Sequence, residues 1–186
     1  MIGDNTRFFR SMSDFITSSP IHTSARIAVI MYGISSSMEE HHVNELYKKF
    51  TWANPGTTVT IRSVPRNFDG LFSLIRWSNI VLFHTGSLMS SQETLGRILK
   101  DHIKQFSFDI SSKLIVGTKH GIELISEKYF SNTTMRFEKG LGLVRNLYLF
   151  IDYEAKLNYE LNVMFNKFNG YFIIIPKNQF LYMDNG

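Results

Sequence analysis

The feature that most constrains the fold is an alternation of apolar runs and helical patterns in the first half of the chain. Residues 26–34 (RIAVIMYGI) form a nearly continuous apolar run, which is typical of a strand buried on both faces. Helical patterns over 43–50, 68–75 and 95–106 then alternate with strand patterns over 57–64 and 80–83. This β-α-β-α-β-α order favours a parallel, doubly wound sheet.

Short polar signals predict where these helices begin. Ser37 with Glu40, and Ser90 with Glu93, have the spacing of a capping box, in which a hydroxyl and a carboxylate satisfy free helix N–H groups. Asn67 is the predicted start of the second helix.

The second half of the chain has a different pattern. Residues 113–126 and 171–183 each have apolar runs around a turn signal, so we predict two antiparallel hairpins. A long strand over 141–153 and a helix over 157–168 lie between them. We therefore predict an α+β domain with a mixed sheet rather than a purely doubly wound one, with the alternation in its N-terminal half and the hairpins in its C-terminal half.

Residues 1–25 form a predicted flexible arm ahead of one globular domain over 26–186. The arm is rich in Ser and Thr and contains the breaker cluster Ser18-Ser19-Pro20. It carries an apolar stripe at helical spacing, formed by Phe8, Phe9, Met12, Phe15 and Ile16. A helix this short is not stable alone in water, so we expect the stripe to dock, either in self-association or on its own domain.

The chain of 186 residues contains no cysteine, which excludes disulfides, thiolate metal sites and cysteine nucleophiles. The absence of cysteine also favours a reducing compartment. The first residues lack the continuous apolar run of a secretory signal, and no stretch reaches the roughly 18 apolar residues of a membrane span. We therefore expect an intracellular protein that is neither secreted nor transmembrane.

Histidines raise the possibility of a metal site. His41 and His42 are adjacent on a predicted helix and point about 100° apart, while Glu45 lies four residues after His41. The sequence has no His-x-x-x-His pair, which is the spacing that shares one helix face. We therefore predict no metal site and no bound cofactor.

The familiar catalytic and phosphate-binding motifs G-x-S-x-G, Walker A and G-x-G-x-x-G are absent. His84, at the end of a predicted strand, is the best candidate general base, with local hydrogen bonding as its structural alternative. The loop after the first strand, with Ser35 to Ser37, resembles the phosphate-holding loop of flavodoxins. Glu39 and Glu40 would repel a phosphate. A flavodoxin-like cofactor- or nucleotide-binding protein, or an enzyme, is the alternative function.

Positive charge is concentrated in the middle of the chain. The net charge is +4, and residues 48–119 carry ten Lys and Arg against four Asp and Glu. Arg97, Lys100 and Lys104 have the spacing of one helix face, which Arg62, Arg66 and Arg76 could extend. Such a face could bind an anionic membrane, or RNA without sequence specificity, and a solvated surface without a partner is the structural alternative.

The order of elements resembles that of rhabdovirus matrix proteins. The matching features are the arm to Pro20, the strand over 26–34, the helix over 43–50, the strand LYLFIDY, the helix over 157–168 and the closing segment GYFIIIPKNQFLYMD. The resemblance implies a structural protein that self-associates, coats a membrane and holds a nucleocapsid. We accordingly predict a non-enzymatic, viral matrix-like protein of the host cytoplasm or virion, binding anionic membrane or ribonucleoprotein.

Overall fold

The computed structural model describes residues 24–53, 56–154, 157–167 and 169–176. The apolar stripe of the arm therefore lies outside the described residues. The strands are β1 (Ser24–Ile30), β2 (Thr58–Ser63), β3 (Ile80–Phe83), β4 (Leu114–Gly117), β5 (Lys128–Ser131), β6 (Arg136–Lys139), β7 (Leu147–Tyr153) and β8 (Tyr171–Pro176). The helices are α1 (Ser36–Ala53), α2 (Phe68–Trp77), α3 (Leu88–Ile98), α4 (Ile103–Ser111), α5 (Lys119–Ile125) and α6 (Asn158–Lys167).

The first four strands form a parallel sheet, sheet A, in the order β2-β1-β3-β4. Helix α1 covers one face, where Leu46 and Phe50 pack with Ile27 and Leu82. Helices α2 to α5 cover the other face around residues such as Phe83. Because the central strands β1 and β3 are buried on both sides, their sequences are apolar without alternation.

The last four strands form sheet B, in the order β6-β5-β7-β8. Strands β5 and β6 are antiparallel, whereas β7 is parallel to both β5 and β8. One face is an aromatic core in which the rings of Phe130 and Phe150 stack 4.4 Å apart under Leu157 of the segment leading into α6. The opposite face, which includes Leu149, packs on Ile122 of α5 and Leu88 of α3, so it adjoins the helices of sheet A.

The predicted α+β class is confirmed, including the N-terminal alternation of strands and helices. The hairpin predicted over 113–126 is wrong. Leu114–Gly117 is a strand parallel to β3, and Lys119–Ile125 is a helix whose Leu124 and Ile125 are buried. The apolar run before Gly117 thus pairs with β3 as a strand, and the apolar residues after Gly121 are buried as part of a helix. Among the described residues of this half, β5 and β6 form an antiparallel pair instead.

Two further segment predictions need correction. The strand predicted over 141–153 begins only at Leu147, after a loop in which Gly142 and Asn146 have positive φ. Tyr171–Pro176 is a strand as predicted, but it pairs in parallel with β7, and residues 177–183 lie outside the described part of the chain.

The helix starts are partly as predicted. Asn67 caps α2, because its Oδ1 accepts a hydrogen bond of 2.8 Å from the Gly70 amide. Helix α3 begins one turn early, since Ser87 is its cap and accepts from the Ser90 amide. Helix α1 includes Ser36, so Ser37 lies inside it rather than capping it. Within the described residues, no helix has the length and apolarity needed to cross a bilayer.

Candidate functional site

The strand order of sheet A reverses between β1 and β3, and in doubly wound sheets the ligand-binding crevice lies outside the carboxyl ends of the strands at such a point. The loops after these two strands are packed tightly against each other. A Cβ atom on Gly33, which has φ +81°, would lie 2.5 Å from the carbonyl oxygen of Ser87. A Cβ atom on Gly86 would lie 2.7 Å from the carbonyl oxygen of Gly33. The close contact between the two loops therefore requires glycine at both contact points.

The turn between β4 and α5, residues 117–121, lies beside this crevice and has the layout of a nucleophile elbow. We call these residues the elbow. A Cβ atom on Gly117 would lie 2.5 Å from Cδ1 of Ile122, and one on Gly121 would lie 2.0 Å from the carbonyl oxygen of Phe83. Two glycines spaced like those of G-x-S-x-G thus flank a strand-to-helix turn, and Lys119 holds the place of the serine.

Lys119 is held by a residue from sheet B. Its Nζ lies 2.5 Å from Oδ2 of Asp152, and the two side chains are 41% and 35% exposed. Asp152 has φ +57° and lies at the register irregularity between Ile151 and Tyr153 in β7. Bulges of this kind redirect a side chain, and here the carboxylate meets the elbow.

The next residue of the elbow is also paired with a carboxylate. His120 Nδ1 lies 2.8 Å from Oε2 of Glu123, whose side chain is only 5% exposed. Burial raises the pKa of Glu123, while the hydrogen bond and charge of His120 and the charge of Lys119 oppose that rise. The elbow therefore combines two acid–base pairs, Lys119 with Asp152 and His120 with Glu123.

His84, the candidate base predicted from the sequence, follows β3 and faces α1. Its Nε2 lies 3.4 Å from Nδ1 of His42, and their ring centroids are 5.2 Å apart. Burial, followed by the charges of His42 and Lys49, lowers the pKa of His84. In the described part of the chain, no cluster of three or more His, Asp or Glu side chains is placed to hold a metal ion.

The loop after β1 that contains Ser35 to Ser37 forms hydrogen bonds with protein groups. Ser35 Oγ and Ser37 Oγ are 2.9 Å apart. Arg66 donates to the Ile34 carbonyl at 2.6 Å and pairs with Glu39. These contacts satisfy protein groups at the position proposed for a flavodoxin-like phosphate.

The basic residues predicted for an anionic surface are not on one helix. Arg97 lies in the last turn of α3, Lys100 in the turn that follows, and Lys104 in α4. Arg62 stacks over the Trp77 ring at 4.8 Å, and Arg66 is engaged as described above. The single helix face is therefore wrong, because the chain turns after Leu99, and a role of these residues in binding anions stays a prediction.

The sequence predicts His84 but not the elbow. Lys119 and His120 lie in the middle of the hairpin predicted over 113–126, and no sequence pattern points to Asp152 or Glu123. The one sequence signal for the elbow is the Gly117-x-x-x-Gly121 spacing after an apolar run. It is hard to recognise because the residue at its centre is Lys119 instead of serine.

No protein-family model matches this chain, and no curated protein matches it in sequence. Solved structures do resemble it. A protein from Listeria monocytogenes EGD-e, named as a candidate peptidase E, superposes with a TM-score of 0.53 at 15% identity, over 91% of this chain and 86% of its own. A peptidase from an acI-B1 Actinobacterium gives a TM-score of 0.50 at 10% identity, over 86% of this chain and 66% of its own.

In fold, this chain is similar to these peptidases. Identities this low establish the fold alone. The viral matrix-like function and the virion location predicted from the order of elements are wrong, because these similarities are to peptidase structures. Of the two functions predicted from the sequence, the alternative, a cofactor-binding protein or enzyme, is nearer to what these structures are. The similarities do not point to a flavodoxin. Self-association and anionic partners stay predictions.

Proposed function

We propose that this chain binds amino acids or short peptides with free ends at the carboxyl edge of sheet A, without cleaving them through a covalent acyl intermediate. The observation that carries the proposal is the residue at the centre of the elbow. Lys119 stands where a nucleophile elbow has serine, and its ammonium is ion-paired with Asp152.

Covalent acyl transfer needs a nucleophile with an available lone pair and a base beside it. The nitrogen of an ammonium group has bound its lone pair to a proton, so an ion-paired lysine cannot attack a carbonyl. The backbone supports the same conclusion. Lys119 is not among the described residues with positive φ, so the elbow does not show that form of backbone strain.

The charges of the elbow favour a zwitterionic ligand. Lys119 and Asp152 are both partly exposed and present opposite charges within one small volume. The carboxylate of an amino acid can bind the ammonium of Lys119 while its own ammonium binds Asp152, which exchanges one ion pair for two charge-assisted contacts. The fold similarity to peptidases supports a ligand of peptide chemistry.

A second candidate function is hydrolysis by an activated water. The observation that favours it is the His120–Glu123 pair, in which a buried carboxylate accepts from Nδ1 and leaves Nε2 for another partner. A histidine oriented in this way is the base half of a catalytic triad. In this mechanism His120 would take a proton from water and the nearby Lys119 would stabilise the developing negative charge.

One experiment separates the two candidates. A pool of short peptides with free ends is dialysed against the protein, and retained and cleaved peptides are measured by mass spectrometry. We expect retention without cleavage, and we expect a matched pool with acetylated and amidated ends not to be retained. Lys119→Ala and Asp152→Ala should each abolish retention, whereas Lys100→Ala in the turn after α3 should leave it unchanged.

Two results would overturn the binding proposal. Equal retention of blocked and free peptides would exclude recognition of the charged ends. Cleavage that disappears in His120→Ala and persists in Lys100→Ala would establish the second candidate instead.

A further inference from the structure

The fold brings together two histidines that are far apart in the sequence. His42 lies on α1 and His84 directly follows β3, where Ile80 and Leu82 also face α1. Their facing nitrogens, Nδ1 of His42 and Nε2 of His84, are 3.4 Å apart. The pair lies at the carboxyl end of β3, beside the crevice between β1 and β3.

This distance has a chemical meaning. A zinc ion binds imidazole nitrogens at about 2.0–2.1 Å in tetrahedral geometry, which places two such nitrogens about 3.3–3.4 Å apart. The two rings therefore already have the separation that a shared ion requires. Without an ion, one ring can donate a hydrogen bond to the other across this distance, so a metal ion would displace the proton of that hydrogen bond.

We propose, against the sequence-based prediction of no metal site, that His42 and His84 form a binding site for Zn²⁺ or a similar divalent transition-metal ion. Within the described residues these two imidazoles have no third metal-binding side chain with them, so water or a bound ligand would complete the coordination. The proposal is independent of the peptide-binding function, because it involves neither Lys119 nor Asp152.

The surroundings decide how strong such a site can be. Imidazole must be neutral to bind a metal, so both His42 and His84 must be unprotonated, and burial favours that form of His84 by lowering its pKa. The positive charge of Lys49 also repels a dication. We therefore expect a weaker site than one formed by three or four protein ligands.

The test is a calorimetric titration of the metal-free full chain, without a histidine tag, with ZnCl₂ near neutral pH. We expect one Zn²⁺ per chain, bound at least about tenfold more weakly by His42→Ala and by His84→Ala. His41→Ala and His102→Ala are the matched controls and should bind as the parent does. Circular dichroism checks that each variant is folded, and because His42 is only half-buried its variant remains informative if His84→Ala does not fold.

Two outcomes would refute the site. The first is no zinc binding by the parent chain. The second is binding that His42→Ala leaves unchanged, which would place the ion elsewhere. If Lys119→Ala loses peptide retention but still binds zinc, the zinc site does not depend on the peptide-binding site.

Discussion

Lys119 Nζ lies 2.5 Å from Asp152 Oδ2, and this ion pair connects the elbow after β4 with the irregularity in β7. It therefore joins the carboxyl edge of sheet A to sheet B. The elbow turn is strand-to-helix, as in a nucleophile elbow, but its centre is a charge pair. The proposed recognition of charged peptide ends rests on this pair.

The backbone of Asp152 gives the first prediction. Its φ of +57° is costly for a residue with a Cβ atom and costs nothing for glycine. Asp152→Gly and Asp152→Ala both remove the ion pair, so their difference isolates the backbone. We expect the glycine variant to be more stable than the alanine variant by about 1 kcal/mol in urea unfolding. Equal stabilities would mean that the left-handed conformation is not kept.

The close packing of the elbow gives the second prediction. A Cβ atom on Gly121 would lie 2.0 Å from the Phe83 carbonyl oxygen, so Gly121→Ala must displace backbone and should cost about 1–3 kcal/mol or more. Gly96→Ala in α3 is the control. Its Cβ atom would meet only Leu141 Cδ2 at 3.6 Å, and alanine favours a helix by about 1 kcal/mol. Urea unfolding that ranks the two variants in the opposite order would refute the elbow packing.

The third prediction concerns pH. Burial raises the pKa of Glu123 above its ordinary value of 4.5, so the folded protein binds this proton more tightly than the unfolded chain does. The stabilisation is complete below that ordinary value and is lost as pH rises through the pKa of the folded state.

The free energy of unfolding of Glu123→Gln, minus that of the parent, should therefore increase as pH rises from about 4.5, since glutamine does not titrate. Urea unfolding of both proteins across this range measures the difference. A difference that stays constant or decreases would show that the pKa of Glu123 is not raised.

The fourth prediction compares two hydroxyls near the crevice. Among the described residues, Thr85 Oγ1 is buried without a hydrogen-bond partner, so Thr85→Val should keep or raise stability, by up to about 2 kcal/mol. Ser91 is fully buried, and its Oγ donates to the Ser87 carbonyl at 2.7 Å. Ser91→Ala should cost about 1–3 kcal/mol. Thermal unfolding should show a lower Tm for Ser91→Ala and an equal or higher Tm for Thr85→Val, and a large loss in Thr85→Val would mean that its hydroxyl has a partner.

The N-terminal half could be predicted from sequence for a physical reason. Strands β1 and β3 are buried on both faces, so they are continuously apolar, and amphipathic helices separate them. The helix Lys119–Ile125 could not be predicted in this way. It has only seven residues, too few for a helical period to be distinguished from a short strand.

The remaining errors have similar causes. No Gly or Pro lies between Arg97 and Lys104, so helical spacing continued in the sequence across the turn at Leu99. Strands β7 and β8 flank α6 and form a βαβ unit, which should have favoured parallel pairing.

The site itself depends on contacts between distant parts of the chain. Lys119 and Asp152 are 33 positions apart, and His42 and His84 are 42 positions apart. Only strand order and register bring such residues together, and neither can be derived from a local pattern.

The most direct test of the central claim is intact-mass spectrometry of the protein after incubation with a fluorophosphonate probe, which labels activated serine nucleophiles. The lysine at the elbow predicts no adduct on the folded parent chain, under conditions that fully label a serine peptidase run in parallel. A stoichiometric adduct that is lost when the protein is unfolded beforehand would reveal an activated serine. It would contradict the proposal that this chain binds peptides without forming an acyl intermediate.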